Sequence, residues 1–316
     1  MDQNIEQRRM QMAGATHIGR VRPSNQDHYL IADMRRLLNI RDSSLPQLDG
    51  NALVGWQPGE LLMVADGMGG YAHGGRASQL AIQQMAIHLR DLICEFHNLH
   101  SSNDAEFRKA LKKAPVRIQQ MLQQEGKADP DKSQMGTTLT AVYVSWPDFY
   151  LLHVGDSCCF LFRDGKLRQL TKDHTLAQSL IDAGIKKEDI PYNSYHHVLS
   201  NSISASDAEP KPDLIRDRLK PGDVLLLSTD GLTRHVSSEE IAAVMESGDS
   251  AADRCAQLIE LANSRGGHDN ITVVIADCTA SASASSTTDA PGLEDDADYE
   301  LLAALADTDI GYPAAL

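Results

Sequence analysis

The sequence predicts an α+β sandwich, and three observations carry that prediction. Short leucine-rich or β-branched runs recur along the chain. Two helical stretches are grouped between them and others lie near the end, and strict β-α-β alternation is missing. The strand runs are Leu61–Ala65, Leu139–Val144, Tyr150–Val154, Val224–Leu227 and Ile271–Ile275. Cys159–Arg163 and Lys166–Leu170 flank Asp164-Gly165, the signature of a hairpin. Between the first and second runs, Ala77, Leu80, Ala81, Met85, Leu89, Leu92, Ile93 and Phe96 mark one face of a long helix over Arg76–Leu99. A second helix starts at Asn103, with Glu106 completing a capping box, and Pro115 interrupts or kinks it. Ser237–Met245 and Ala251–Asn263 are the late helices.

The chain has 316 residues and a formal charge of −15, enough length for one large domain or two small ones. Eight acidic residues and no Lys or Arg lie between Thr279 and Leu316, leaving roughly −7 for the rest. An acidic surface disfavours nucleic acid, whose phosphates need Lys and Arg. No run approaches the ~20 apolar residues of a membrane span, and Met1–Met12 has no signal-peptide core. Cys94, Cys158, Cys159, Cys255 and Cys278 form an odd, scattered set that fits a reducing compartment, so a cytoplasmic protein is expected. Residues 1–11 read as an extension, 12–278 as the domain and 279–316 as an acidic, disordered tail. In that tail Tyr299–Leu305 is a short helical stretch, marginal in water.

The most informative feature is a set of aspartates at strand ends. Leu61–Ala65 runs into Asp66-Gly67, Val224–Thr229 into Asp230-Gly231, and Leu151–Val154 into Gly155-Asp156, while Asp269-Asn270 opens the run from Ile271. Each strand delivers its terminal side chain to a fixed place at a sheet edge. Taken singly, each Asp-Gly is an ordinary turn. Gathered together, four carboxylates repel one another unless cations neutralise them. All-oxygen ligation suits Mg²⁺ or Mn²⁺ and not zinc. The glycines of Asp66-Gly-Met-Gly-Gly70 exceed what one turn needs and imply close backbone approach, plausible for a metal bound through a carbonyl.

From Thr16 to Asp277 the chain resembles the metal-dependent Ser/Thr protein phosphatases, the PPM or protein phosphatase 2C family, in its bacterial form. Seven motifs carry the resemblance, in the family's order. They are Gly19-Arg-Val-Arg22 with Asn25-Gln-Asp27, Asp66-Gly-Met-Gly-Gly70 with Ala77-Ser78, Gly136-Thr-Thr138, Val154-Gly-Asp-Ser157, Leu170-Thr-Lys-Asp-His174, Ser228-Thr-Asp-Gly-Leu232 and Gly267-His-Asp-Asn-Ile-Thr272. The resemblance implies a β-sandwich of two antiparallel sheets flanked by helices, with two Mn²⁺ or Mg²⁺ ions in a cleft at one end. It implies that Asp66 bridges the ions, that the Gly67 carbonyl binds the second and that Asp27 reaches the second, usually through water. Asp230 and Asp269 complete the first, and Arg22 holds the substrate phosphate. Asp156, with Asp230, matches a third and weaker metal site. The implied reaction is hydrolysis of phosphoserine and phosphothreonine in proteins by metal-activated water, without a phospho-enzyme. The implied partners are phosphoproteins that a Ser/Thr kinase modifies, met by a monomer.

Several positions depart from the family's pattern. Met68 stands where eukaryotic members have His, so leaving-group protonation falls to a metal-bound water, with His73 and His174 as weaker candidates. Tyr71, Gly75 and Cys158 replace a more usual His, Glu and Arg, and His197-Val-Leu-Ser-Asn201 lacks an arginine. Residues 177–196 correspond to a flap beside the cleft, and 34–60 form an insertion whose Arg35, Arg36 and Arg41 read as a solvated face. Cys94, His97 and His100 share a helix end but lack a fourth zinc ligand. Two classes survive: an active phosphatase, and a catalytically weak phosphoprotein-binding module of the same fold. The presence of Asp27, Asp66, Asp230 and Asp269 together favours the enzyme.

Overall fold

The computed structural model describes residues 10–34, 37–43, 52–54, 59–69, 73–96, 104–191, 195–206 and 208–278. The first strands are β1 (Gln11–His17), β2 (His28–Met34), β3 (Leu37–Ser43), β4 (Ala52–Val54) and β5 (Gly59–Ala65). Short β6 (Gly67–Met68) and β7 (Gly136–Thr137) precede β8 (Leu139–Ser145), β9 (Asp148–Val154), β10 (Cys158–Arg163) and β11 (Lys166–Gln169). Last come β12 (Ile203–Ser204), β13 (Asp213–Arg218), β14 (Val224–Ser228) and β15 (Ile271–Asp277). One sheet has the order β1-β15-β14-β10-β11, and a larger one β13-β9-β8-β5-β2-β3-β4. The pairings within both are antiparallel, so the expected sandwich of two antiparallel sheets is what the chain forms.

The core strands are apolar on both faces because both faces are covered, which is why they read as runs and not as alternations. Successive side chains of β5 part company: Leu62 and Val64 enter the space between the sheets, with Val142, Leu151, Leu161, Leu225 and Val274. Leu61 and Met63 face the other way, against helices. Those helices are α1 (His73–Glu95), α2 (Asp104–Leu111) and α3 (Ala114–Ala128). Leu80, Met85, Leu89, Phe107, Ile118 and Leu122 make their buried stripe. After α4 (Leu176–Asp182), the smaller sheet is covered by α5 (Ser238–Glu246) and α6 (Ala251–Ser264), whose Ile241, Met245, Cys255 and Leu258 pack on Phe160, Leu226 and Ile275. The result is four layers, helix–sheet–sheet–helix, with three apolar interfaces.

Pro115 separates α2 from α3 by occupying the first turn of α3, where a missing N–H costs nothing. Ser237 caps α5 with a full capping box to Glu240. The long helix spans His73–Glu95, starting three residues earlier and stopping sooner than the periodicity suggests. Part of the 34–60 segment supplies β3 and β4, which extend the larger sheet. Met10 is buried in the inter-sheet core, so the folded unit reaches at least that far back. The Asn103 cap, the side chains of Cys94, His97, His100, Arg35, Arg36 and Arg41, Tyr71, and the tail from 279 all lie outside what the structure describes. Among the described residues no helix is long and apolar enough to cross a membrane.

Candidate active site

Strand register brings the aspartates to one end of the sandwich. Ala65 pairs with His28, Leu139 with Val154, Ser228 with Val273 and His17 with Ile271. The residues just beyond these pairs are Asp66, Asp27, Asp156, Asp230, Asp269 and the loop that carries Arg22. A cleft of about 680 Å³ opens there, lined by Arg22, Asp66, Gly67, Asp156, Asp230 and Asp269, together with Arg234 and His197. Six of the seven site residues expected from the sequence line it. The seventh, Asp27, is only 2 % exposed and is absent from the cleft lining.

Each carboxylate is positioned through its neighbours. The Asp66 backbone is clamped to β7 and its successor: its N–H donates to Thr138 Oγ1 at 3.0 Å, and its carbonyl accepts from Thr138 N at 2.9 Å. Gly67 must be glycine, because a Cβ there would meet the Gly74 carbonyl oxygen at 2.2 Å. Asp27 Oδ2 accepts from Thr229 Oγ1 and Thr272 Oγ1, each at 2.8 Å, while its Oδ1 is buried without a hydrogen-bond partner. Asp230 opens a single helical turn, Asp230–Thr233. Its Oδ2 accepts from Arg234 Nη2, and its Oδ1 is likewise buried and unpartnered. Asp269 accepts from Arg22 Nε and Nη2, both at 2.8 Å, from Asn270 N at 2.9 Å and from Arg234 Nη1 at 3.1 Å.

Crowding of like charge dominates the electrostatics. Burial, then the charges of Asp27, Asp230, Asp156 and Asp269, push the Asp66 carboxyl far above the usual carboxylate range. Asp156 rises through burial and then Asp230, an effect Arg234 partly offsets. Burial raises Asp27 and Asp230 as well, against the threonine hydroxyls in the first case and Arg234 in the second. The ion pair with Asp269 raises Arg22, which keeps its charge.

An all-oxygen donor set with two buried, unsatisfied carboxylate oxygens fits hard divalent cations. Among the described residues, no three His, Cys, Asp or Glu side chains stand drawn together as a finished ligand set. Asp269 turns oxygens toward Arg22 and Arg234, and Asp230 turns one toward Arg234.

Two site residues escaped the sequence reading. Arg234 lies one turn after Asp230, and the i, i+4 spacing is its signal only once that turn is known to be helical. Asn270 fastens the arginine loop to β15: its side chain donates to Ile18 O at 2.9 Å and Ser24 O at 3.0 Å and accepts from Gln26 N at 2.9 Å. The weaker proton-donor candidates fall elsewhere. His73 lines a different pocket. His174 is tied to Asp213 Oδ2 at 3.1 Å, to Gly155 N at 3.1 Å and to Asn201 Nδ2 at 2.9 Å. Asn201, where an arginine is usual, thus anchors the segment that carries His197, Val198 and Leu199 into the cleft.

Gly231 offers a test of this positioning. A Cβ on it would sit 1.9 Å from the Asn270 carbonyl oxygen. Gly231→Ala is expected to cost about 1–3 kcal/mol in denaturant unfolding, the usual penalty of overpacking. Because it forces apart the two backbones that carry Asp230 and Asp269, it should also weaken cation binding; unchanged stability would contradict the close approach.

A family profile described as Protein phosphatase 2C matches residues 40–274. The Serine/threonine protein phosphatase PstP of Mycobacterium tuberculosis is 38 % identical over 218 residues, 69 % of this chain and 40 % of that protein. The chain therefore matches well under half the length of that relative. Protein phosphatase PhpP of Streptococcus pneumoniae is 33 % identical over 218 residues, 68 % of this chain and 84 % of that protein. Among solved structures, the catalytic domain of PstP in complex with two manganese ions superposes with a TM-score of 0.62 at 32 % identity, covering 85 % of this chain and 97 % of that one.

Proposed function

The chain belongs to the protein phosphatase 2C family, and on that premise we propose that it hydrolyses phosphoserine and phosphothreonine in proteins with two bound Mn²⁺ or Mg²⁺ ions. The observation that carries this reading is the crowd of carboxylates at one end of the sandwich, two of whose buried oxygens have no partner, beside an arginine at the cleft wall. The PstP catalytic domain solved with two manganese ions supports the choice of cation.

Asp66 would lie between the two ions, with Asp230 and Asp269 holding one and the Gly67 carbonyl and Asp27 the other. Asp156 and Asp230 would hold a weaker third. Bound there, such ions supply a water activated for attack at neutral pH and offset the charge of the transferring phosphoryl group. Asp27 is held rigid by Thr229 and Thr272, so its free Oδ1 keeps one direction. Arg22, with its side chain 52 % exposed, presents a planar fork that already grips a carboxylate bidentately and matches two phosphate oxygens equally well. Met68, following Gly67, has no proton to give; the leaving alcohol must take its proton from solvent in the cleft. The catalytic domain is residues 10–278, acting as a monomer in the cytoplasm on phosphoproteins made by a Ser/Thr kinase.

The test is hydrolysis of a phosphothreonine peptide with Mn²⁺ and with EDTA. Turnover should require the metal, and metal-independent or absent turnover by folded protein would sink the reading. Arg22→Ala should raise KM and lower kcat/KM by about 10²-fold, the loss of a bidentate charged contact. An unaltered KM would remove Arg22 from phosphate binding.

A further inference from the structure

We propose that Arg234 is a tethered competitor of the divalent cation: a positioning residue whose guanidinium bridges Asp230 and Asp269 and sets how tightly the site holds metal. The inference rests on the metal-centre reading of the cleft and adds a residue to it. Arg234 extends back from the end of the helical turn that Asp230 begins, so its reach to Asp230 follows from the i, i+4 geometry. From there one Nη donates to Asp230 Oδ2 and the other to Asp269 Oδ2 at 3.1 Å. Its Nε is buried without a hydrogen-bond partner, so the side chain leaves one donor unsatisfied to make these two contacts.

The sign of the effect follows from what else holds the two carboxylates. A cation binding both residues must take oxygens that Arg234 now occupies, and must do so beside a fixed positive charge. Asp269 does not depend on Arg234 for its place, since Arg22 Nε, Arg22 Nη2 and Asn270 N hold it too. Asp230 is placed by the backbone turn itself. Removing the guanidinium therefore frees Asp230 Oδ2, takes one of two arginine donors off Asp269 Oδ2, and releases neither residue from its place. A purely structural arginine would give the opposite result, because loosening the cluster would weaken metal binding.

The experiment is calorimetric titration of Mn²⁺ into the full chain, comparing the unaltered protein with Arg234→Met and Arg234→Lys. Methionine keeps an apolar stem and no charge. It should tighten Mn²⁺ binding by about tenfold or more, the scale of one charge-assisted hydrogen bond. Lysine keeps the charge but cannot span two carboxylates, so its gain should be smaller, about two- to fivefold. Equal or weaker Mn²⁺ binding in the methionine variant overturns the proposal. If that variant does not fold, the lysine variant decides, and absence of any gain overturns it. Should the unaltered chain take up no Mn²⁺ at all, the metal-centre reading falls with it; uptake by the unaltered chain with no response to either variant sinks the role of Arg234 alone.

Discussion

Asp66→Asn is expected to lower Mn²⁺-dependent turnover by about 10³-fold, the scale of losing a group that stabilises transition-state charge, and at the same time to raise the thermal midpoint measured in EDTA. The two effects have one cause. Asp66 sits where burial and four other aspartates all oppose its charge. The metal-ligand role proposed for Asp66 needs that charge; a folded protein without cations is better off without it. Asparagine keeps the shape and removes the repulsion, and active-site substitutions of this kind typically return about 1–2 kcal/mol. For a domain of this size that is a rise of about 4 °C. With saturating Mn²⁺ the order should reverse, because the unaltered chain gains stability from each bound ion and the variant gains less. Turnover within tenfold of the unaltered protein would remove Asp66 from the centre of the site. A lower midpoint in EDTA would show that the carboxylate serves the fold.

How much of this could be read before the structure depends on where each residue's partners lie in the chain. The core strands β5, β8, β9, β14 and β15 were legible because burial on both faces makes them dense apolar runs, and their terminal aspartates were legible with them. Strand β1, Gln-Met-Ala-Gly-Ala-Thr-His, has neither a run nor a strong alternation. It is a strand because seven residues of β15 pair with it. Strand β13, Asp-Leu-Ile-Arg-Asp-Arg, sits at the edge of the larger sheet, where charge is tolerated and even useful against unwanted pairing. Strand β2 opens on a histidine and carries an aspartate, yet it is almost wholly buried between β5 and β3.

In the site, the sequence indicates Asp27 only through the family pattern. Its holders, Thr229 and Thr272, lie 202 and 245 residues away, and nothing local announces them. Arg234 escaped for a different reason. An arginine four residues after an aspartate means little until those residues are known to form one helical turn at the cleft wall. The Asp-Gly pairs were visible as turns, and what the fold adds is why they cannot be otherwise: Gly67 and Gly231 each lie against a carbonyl oxygen that leaves no room for a side chain.

Arg254→Ala should cost about 3–5 kcal/mol, the penalty for removing one partner of a buried ion pair, and should lower the midpoint by about 10 °C. Arg254 is 4 % and Asp277 3 % exposed, and Nη1 donates to Oδ2 at 2.7 Å, fastening α6 to the last residue of β15. Changing both partners, with Arg254→Met and Asp277→Val, should recover most of the loss, since a well-packed apolar pair of similar volume avoids desolvating two charges. Midpoints of the two single variants and the double variant decide this; equal losses in all three would mean that packing and not charge pairing matters there. Activity per folded molecule should not change, because Asp277 ends β15 while Asp269 lies two residues before its start, about 26 Å of extended chain away. The contrast with Asp66 is what identifies the cleft. One sandwich end has a buried aspartate matched to an arginine, and neutralising the arginine should hurt the fold; the other gathers more carboxylates than its arginines can match, and neutralising one of them should help the fold while lowering turnover. A carboxylate cluster kept for stability would respond as Asp277 does.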